Sequence, residues 1–299
     1  MRTNLLTFVL GAALVGCGPS SVLNEWDRAE INDSESLKEW SQGSAPQVYL
    51  GAGLLTSAII TAAEQQSEAG CPVKKVDGET TTYTGDCTDS DGNAWFGKAT
   101  LKGATSEQDG TANFRFEDFG VTGPQDCDSG ATANQRLAIA GTSVATAPEA
   151  GTLRFTYDLR IDSIAVDATA CALERDTLAY SYTGQSVESG SRRTWNGSGR
   201  VGTQTQGTVE VSTQDEVMDN SVCSSEAVSG TTTLKGKDTT AVITYDGATD
   251  CSDLSTVTWT LDGVAMGTVN GVTCTSAAGA PVWFALLGLL GLGLKRRRG

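Results

Sequence analysis

The reactive side chains of this 299-residue chain are carboxylates, cysteines, hydroxyls and lysines, because it contains no histidine. Without an imidazole, Ser-His-Asp and Cys-His nucleophiles are excluded, together with the histidine-based centres that most metalloenzymes use. Catalysis would have to rest on paired carboxylates or on a serine–lysine pair. The remaining possibility is a function without catalysis.

The densest group of oxygen ligands lies in one short acidic stretch. Its members are Asp86, Asp89, Asp91, Gly92 and Asn93. The stretch is similar to the start of a calcium loop. With Gly92 at the sixth position of an EF-hand, however, Cys87 and Lys98 occupy the first and twelfth positions, which need acids. The EF-hand is therefore excluded, a generic calcium-binding hairpin stays open, and we favour an ordinary Asp-Gly turn with no metal and no cofactor.

Two other acidic patterns bear on catalysis. The triplet Asp128-Ser129-Gly130 resembles the Asp-Ser-Gly of aspartic proteases, but it lacks apolar flanking strands and a second copy. A carboxylate pair of the glycosidase type would be drawn from acids such as Glu117, Asp118, Glu210 and Asp215. Only the separation of two carboxyl groups identifies such a pair, and we interpret these acids as solvated strand faces. The sequence thus predicts no catalytic residue.

A duplication organises the middle of the chain. The first set of landmarks is Cys71, Tyr83-Thr84-Gly85, Trp95, Cys127 and Thr156-Tyr157-Asp158. The same order returns as Cys171, Tyr182-Thr183-Gly184, Trp195, Cys223 and Thr244-Tyr245-Asp246. The repeat predicts two related units in tandem. Their tyrosines and tryptophans could stack on a sugar, but one large aromatic per unit is more typical of a core.

The N-terminal end predicts export. Residues 5–15 form an apolar run that is too short to span a membrane and is typical of a secretory signal. The run ends in Leu14-Val15-Gly16-Cys17, which resembles a bacterial lipobox. The resemblance implies that a signal peptidase removes residues 1–16 and that Cys17 is acylated, which anchors the protein to a membrane. An ordinary signal peptide followed by a structural cysteine is the alternative.

The C-terminal end carries a second membrane signal. Cys274 is followed by an almost wholly apolar stretch, 277–294, and by Lys295, Arg296, Arg297 and Arg298. The stretch is just long enough for a transmembrane helix, and the cations mark its cytoplasmic side. The pattern resembles the MYXO-CTERM class of protein-sorting tails, which implies that a sorting peptidase cuts near Cys274. A plain anchor helix is the alternative.

Six cysteines remain for disulfides once Cys17 and Cys274 are assigned to the ends. The duplication favours one bridge made twice, Cys71 with Cys127 and Cys171 with Cys223, and leaves Cys87 for Cys251. A competing scheme uses local pairs, Cys71 with Cys87 and Cys223 with Cys251. Metal binding in the cytosol is disfavoured by the export signals.

The body of the chain shows the period of strands. Apolar and polar residues alternate over 112–117, 153–161, 209–211, 241–245 and 257–261. Such alternation gives one wet and one buried face, which is typical of antiparallel sheets. Asp-Gly pairs such as Asp262-Gly263 separate the runs and predict tight turns. We therefore expect a mostly β fold, an antiparallel meander or sandwich of two tandem units.

The predicted segments follow the chain in order. They are a lipoprotein signal peptide (1–16), a tether (17–50), a short amphipathic helix that packs on the sheet (51–70), two β units (71–165 and 166–273), and a sorting tail with a transmembrane helix (274–299).

We expect a lipoprotein anchored in the cell envelope, at the outer membrane or cell surface, with a structural or binding role. The formal net charge of −15 disfavours nucleic acid as a partner. Expected partners are the membrane, through the lipid and the C-terminal helix, and the signal and sorting peptidases during export, while the ligand stays open. The alternatives are a carboxylate-based enzyme acting on carbohydrate or peptidoglycan, and a periplasmic carrier of lipid or lipoprotein. The carrier would need an apolar cavity between sheet and helix.

Overall fold

The computed structural model describes residues 18–41, 49–103, 111–126, 132–165, 176–247 and 255–272. In these ranges the chain forms a 3-10 helix (Pro19–Asn24), two α-helices and a sheet of 14 strands. The helices are α1 (Ser34–Ser41) and α2 (Tyr49–Ser67). The first seven strands are β1 (Val73–Asp77), β2 (Thr80–Thr84), β3 (Cys87–Thr88), β4 (Ala94–Lys102), β5 (Thr111–Asp126), β6 (Thr132–Glu149) and β7 (Thr152–Ala165). The other seven are β8 (Asp176–Ser189), β9 (Arg192–Thr203), β10 (Gly207–Asp219), β11 (Cys223–Lys235), β12 (Thr240–Tyr245), β13 (Ser255–Leu261) and β14 (Val264–Val272).

The sheet is an antiparallel meander. Its strands follow one another in sequence order, except that the short β3 pairs with β4 beside the main path. The connections are tight where the sequence predicts them. Between β13 and β14, Asp262 and Gly263 both have positive φ, 50° and 80°, as a two-residue hairpin of type I′ requires. The mostly β, antiparallel prediction is confirmed, and every described strand belongs to one sheet.

One face of the sheet, here called the inner face, is covered by α1 and α2. In β7, Tyr157, Leu159 and Ile161 are at most 2% exposed and point to this face, whereas Asp158 and Arg160 lie on the opposite, outer face. The buried residues of the sheet and both helices form one continuous core. The helix that the sequence predicts over 51–70 is therefore present as α2 and packs on the sheet.

Asp33 marks the start of α1, and Gly70 follows the end of α2. Asp33 caps α1, because its Oδ1 accepts hydrogen bonds from the backbone N–H groups of Ser36 at 2.9 Å and Glu35 at 3.1 Å. The bond from Ser36 is the main reason that the pKa of the Asp33 carboxyl lies below its ordinary value. Beyond α2, Gly70 takes a φ of 95°, a conformation that ends helices and suits glycine.

Residues 18–31 form a strap that runs from the outer face to the inner face. At the outer face, the backbone N–H of Ser20 donates to Asp158 Oδ1 at 3.0 Å. Further on, the Ala29 N–H donates to the Thr208 carbonyl at 2.9 Å. Ile31 then enters the core with 0% exposure. The strap thus passes around the start of β10.

The packing of the strap and α1 differs from the tether that the sequence predicts over 17–50. Four apolar side chains in this segment are at most 2% exposed: Leu23, Ile31, Leu37 and Trp40. Because these residues are few and widely spaced, the sequence contains no periodic pattern that predicts their burial. Residues 18–41 are part of the folded domain.

The predicted duplication has structural correlates but stays a prediction. In β5 the pairing with β6 shifts between Phe116 and Phe119, and Asp118 there has a φ of 45°. In β10 the pairing with β11 shifts between Gln214 and Val217, and Asp215 has a φ of 49°. In each half, therefore, the strand after the one that carries the tryptophan contains a β-bulge with an aspartate in the left-handed region.

Among the residues that the structure describes, no helix has both the length and the apolar character needed to cross a membrane. The transmembrane helix predicted over 277–294 lies outside those residues.

Candidate binding face

The acidic turn between β3 and β4 is closed by its own hydrogen bonds. Both carboxylate oxygens of Asp89 accept bonds, from the backbone N–H groups of Asp91 and Asn93 at 2.9 Å each and from Trp95 Nε1 at 2.8 Å. Asp91 Oδ2 accepts from Gln66 Nε2 at 3.0 Å. Asp89 is only 7% exposed. Its oxygens therefore fix the turn and seat the Trp95 indole.

The four acids that a glycosidase could draw on lie at two bulges and in one ion-pair cluster. Glu117 and Asp118 are neighbours on β5, and they pair with Arg115 at 3.4 Å and Arg160 at 3.2 Å respectively. Glu210 pairs with Arg28 of the strap at 3.0 Å and with Lys235 at 3.7 Å. The bond from Arg28 is the main reason that the pKa of Glu210 is lowered. Asp215 is exposed at the bulge of β10. Across the described ranges, no group of three or more acids or cysteines is arranged to hold a metal ion.

The four repeat aromatics belong to the core. Tyr83, Trp95, Tyr182 and Trp195 are at most 3% exposed. Trp95 packs on Phe119 at a centroid distance of 5.6 Å, and Trp195 stacks on Tyr182 at 6.4 Å. Burial raises the pKa of Tyr182 well above its ordinary value. These rings fill the inner face and do not form a sugar-stacking surface.

A polar cluster joins α2 to the first hairpin. The carboxylate of Glu64 accepts hydrogen bonds from Lys74 Nζ and from Tyr83 Oη. The bond from Lys74 is the main cause that lowers the pKa of Glu64. Burial, followed by the bond to Glu64, raises the pKa of Tyr83. The tyrosine stays protonated and donates, so the cluster stabilises the fold.

The cysteines correct the favoured disulfide scheme. Cys71 and Cys87 are bonded to each other, with Cα atoms 5.9 Å apart. The pairing of Cys71 with Cys127 is therefore wrong, and so is the pairing of Cys87 with Cys251. The local scheme is confirmed for this pair, because the β1–β2 hairpin and β3 return the chain to Cys71. Cys223 is buried at the start of β11.

The other predicted site residues lie outside the described residues. They are the lipid-attachment residue Cys17, the disulfide candidates Cys127, Cys171 and Cys251, the triplet at 128–130, and the sorting-tail residues Cys274, Arg296, Arg297 and Arg298.

A groove lies on the outer face of the sheet. It has a volume of about 570 Å³ and crosses five neighbouring strands, β6 to β10. The outer-face side chains that line it are Val144, Thr146, Arg154, Thr156, Thr183, Gln185, Asn196, Ser198, Ser212 and Gln214. Arg154 is the one charged residue of this lining. We call this groove on the outer face the outer groove.

Strand register arranges the outer groove in two rows. In the first row Val144, Thr156, Thr183, Ser198 and Ser212 are consecutive cross-strand partners. In the second row Thr146, Arg154, Gln185 and Asn196 are partners in the same way. Neighbouring strands lie about 4.8 Å apart. The groove therefore presents hydroxyl and amide groups at a regular spacing.

Several of these side chains are held in place. Arg154 Nε donates to Gln185 Oε1 at 2.8 Å. Asn196 Oδ1 accepts from the backbone N–H of Asp215 at the β10 bulge, at 2.9 Å. Each bond fixes one polar atom of a side chain and thereby orients the other polar atoms of the same side chain.

The strap forms a wall next to the outer groove. A smaller hollow of about 240 Å³ is lined by Ser20 of the strap, by Asp158 and Ser181, and by residues that the groove shares. The shared residues are Thr156, Thr183 and Ser198. The groove therefore continues toward the 3-10 helix, which limits it on that side.

The sequence does not reveal the outer groove. The alternation over 153–161 does predict that Thr156 faces water, but it does not tell which residues become its neighbours, because register is set by turns and bulges. Comparison with known proteins found no matching family model, no matching curated protein and no matching solved structure.

Proposed function

We propose that this protein is an envelope lipoprotein, anchored at the outer membrane or cell surface, which acts there as a binding component without catalysis. The outer groove is the observation that carries the binding role. The inner face is occupied by helices and core side chains, whereas the outer face is polar and contains a groove with ordered side chains. The surface that the fold leaves for a partner is therefore the outer face.

Two features support export and anchoring. The lipobox-like sequence ending at Cys17 is directly followed by Gly18, which packs against Asp158 on the outer face. The Cys71–Cys87 disulfide is typical of an oxidising compartment outside the cytosol. With a lipid on Cys17, the domain would be held close to the membrane and not on a long tether.

The lipid-carrier alternative gains no support from the described helix. Ala52, Leu55, Ile59 and Ala63 of α2 are buried at 5% exposure or less, and a Cβ atom on Gly53 would lie 2.5 Å from Tyr157 Oη. Where it is described, the helix packs directly on the sheet. Of the acids on which the enzyme alternative would draw, Glu117, Asp118 and Glu210 form ion pairs with arginines.

The anchoring is tested by expressing the full chain in a bacterium fed with labelled fatty acid. We expect label on the wild type and a membrane location, with loss of label in Cys17→Ala. A wild-type protein that is unlabelled and begins elsewhere than Cys17 would contradict the lipoprotein assignment.

The tail is tested separately, because it bears on the final location. An epitope placed after Arg298 should be absent from mature surface protein, and Cys274→Ala should leave uncut precursor in the inner membrane. An epitope that persists on surface-exposed protein would identify the tail as a plain anchor.

A further inference from the structure

We propose that the outer groove binds a neutral polysaccharide, whose chain lies across strands β6 to β10. This inference rests on the proposed binding function and names its ligand class. It is carried by the shape of the groove, by its chemistry and by the order of its side chains.

The shape favours an extended polymer over a small molecule. Pockets for small ligands are mostly enclosed and apolar, and they bury most of the ligand surface. The outer groove instead is open along the sheet surface and is continued by the hollow beside Ser20. Because the groove is open, it can hold one stretch of a longer polymer.

The chemistry favours a neutral, hydroxyl-rich partner. Threonine and serine hydroxyls both donate and accept hydrogen bonds, and the amides of Gln185 and Asn196 offer both functions on one group. Sugar hydroxyls have the same dual character. An acidic polymer would meet a single cation, Arg154, on a protein with a net charge of −15, so its approach is disfavoured.

The order of the side chains lowers the cost of binding. Gln185 is held by Arg154 and Asn196 by the β10 backbone, while threonine has few rotamers to lose. The row from Thr156 to Ser212 repeats hydroxyls at the strand spacing, so a polymer with repeating hydroxyls can form several bonds at once. Because each bond also replaces a bond to water, the net gain comes from several contacts together.

The test uses the purified full chain in mild detergent and affinity electrophoresis in gels that contain a soluble neutral glucan or mannan, with polygalacturonate as the acidic comparison. We expect retardation by a neutral polymer and none by the acidic one. Thr183→Val keeps the shape of an exposed side chain and removes its hydroxyl, so we expect it to weaken binding about three- to tenfold. Ser198→Ala should act in the same direction.

Thr268→Val is the matched control, because Thr268 is an exposed threonine on β14, outside the groove. It should bind like the wild type. If no neutral polymer binds, or if acidic polymer binds better, the ligand class is wrong. If a neutral polymer binds and Thr183→Val binds it equally well, the groove is not the site.

These outcomes are separate from those of the anchoring experiment. A labelled, membrane-located protein that binds no glycan retains the proposed envelope function and loses only this ligand. An unlabelled, unanchored protein that binds glucan through Thr183 retains the ligand and loses the envelope function.

Discussion

The backbone N–H of Ser20 and the carboxylate of Asp158 are joined by a 3.0 Å hydrogen bond across 138 residues of sequence. Gly18 packs on the same carboxylate, since a Cβ atom at that position would lie 2.6 Å from Asp158 Oδ2. A single side chain of β7 thus fixes the start of the strap on the outer face. The strap then limits one side of the outer groove.

Replacing Asp158 by alanine should release the start of the strap. The loss of one hydrogen bond to a charged acceptor costs about 1.5–3 kcal/mol at most, less for a half-exposed pair. We therefore expect faster hydrogen exchange at residues 20–24 with little change elsewhere. Asp158→Asn keeps an acceptor oxygen and should resemble the wild type. Unchanged exchange at residues 20–24 in the alanine variant would show that other contacts hold the strap.

A second prediction concerns the contact between Gly53 of α2 and Tyr157 of β7. A methyl group at Gly53 would lie 2.5 Å from Tyr157 Oη but 3.5 Å from the ring carbon that carries it. Gly53→Ala should therefore lower the free energy of unfolding by about 1–2 kcal/mol, since the clash outweighs the better helix propensity of alanine. The hydroxyl has no hydrogen-bond partner among the described residues.

Tyr157→Phe alone should therefore change the free energy of unfolding little. In the double variant it should restore the stability that Gly53→Ala loses. Urea unfolding of the two single variants and the double variant gives their coupling energy, which we expect to exceed about 1 kcal/mol. The pair Ser57→Ala and Tyr157→Phe is the control, because Ser57 lies on the exposed side of α2. Additive effects of Gly53→Ala and Tyr157→Phe would be evidence against the predicted clash.

The Glu64 cluster predicts a contribution to acid sensitivity. The bond from Lys74 keeps the pKa of Glu64 low in the folded state. A carboxyl with a lowered folded pKa stabilises the fold above its unfolded pKa, and this stability is lost as the pH falls through the folded value. Glu64→Gln should therefore be less stable than the wild type near neutral pH, by no more than about 1 kcal/mol because the pair is half-exposed.

The difference between wild type and Glu64→Gln should narrow as the pH falls below the ordinary glutamate pKa of about 4.3. Urea titrations at neutral and acidic pH measure it. Glu68→Gln, at an exposed residue just beyond α2, controls for the loss of a negative charge. A stability difference between wild type and Glu64→Gln that grows as the pH falls would contradict this prediction.

The disulfide prediction concerns Cys71 and Cys87, which are 16 residues apart. Replacing both by alanine should lower the free energy of unfolding by about 3 kcal/mol, since closing a loop of this length restricts the unfolded chain by that amount in the loop-entropy model. Non-reducing peptide mapping should recover the two cysteines in one cross-linked product. A peptide that joins Cys71 to Cys127 would restore the pairing that the duplication favours.

The sequence predicted well on which face of the sheet a side chain lies. It did not predict which side chains are neighbours on adjacent strands. Alternation correctly placed Tyr157, Leu159 and Ile161 inside, because a strand turns successive side chains to opposite faces. It could not place Thr156 beside Thr183, since their pairing depends on the turns between the strands. Because the sequence does not give the register of the strands, it did not predict the outer groove.

The strap was missed for a different reason. Leu23 and Ile31 of the strap and Leu37 of α1 are buried but widely spaced in the sequence, so they produce neither a helical nor a strand period. The disulfide was misassigned because the repeat argument gave weight to equivalent positions. The turn through β3 brings Cys87 next to Cys71, and the repeat does not encode this turn.

The order of the strands has a consequence for the route by which the chain folds. In a meander each hairpin pairs with the strand made just before it, so the sheet can grow in step with the emerging chain. The strap cannot, because Arg28 donates to the Lys235 carbonyl 207 residues later. The part of the strap around Arg28 is thus among the last parts of the chain to dock. A chain that stops before β10 leaves Arg28 and Ala29 without these partners, so protection of this part of the strap reports that the second half of the sheet has formed.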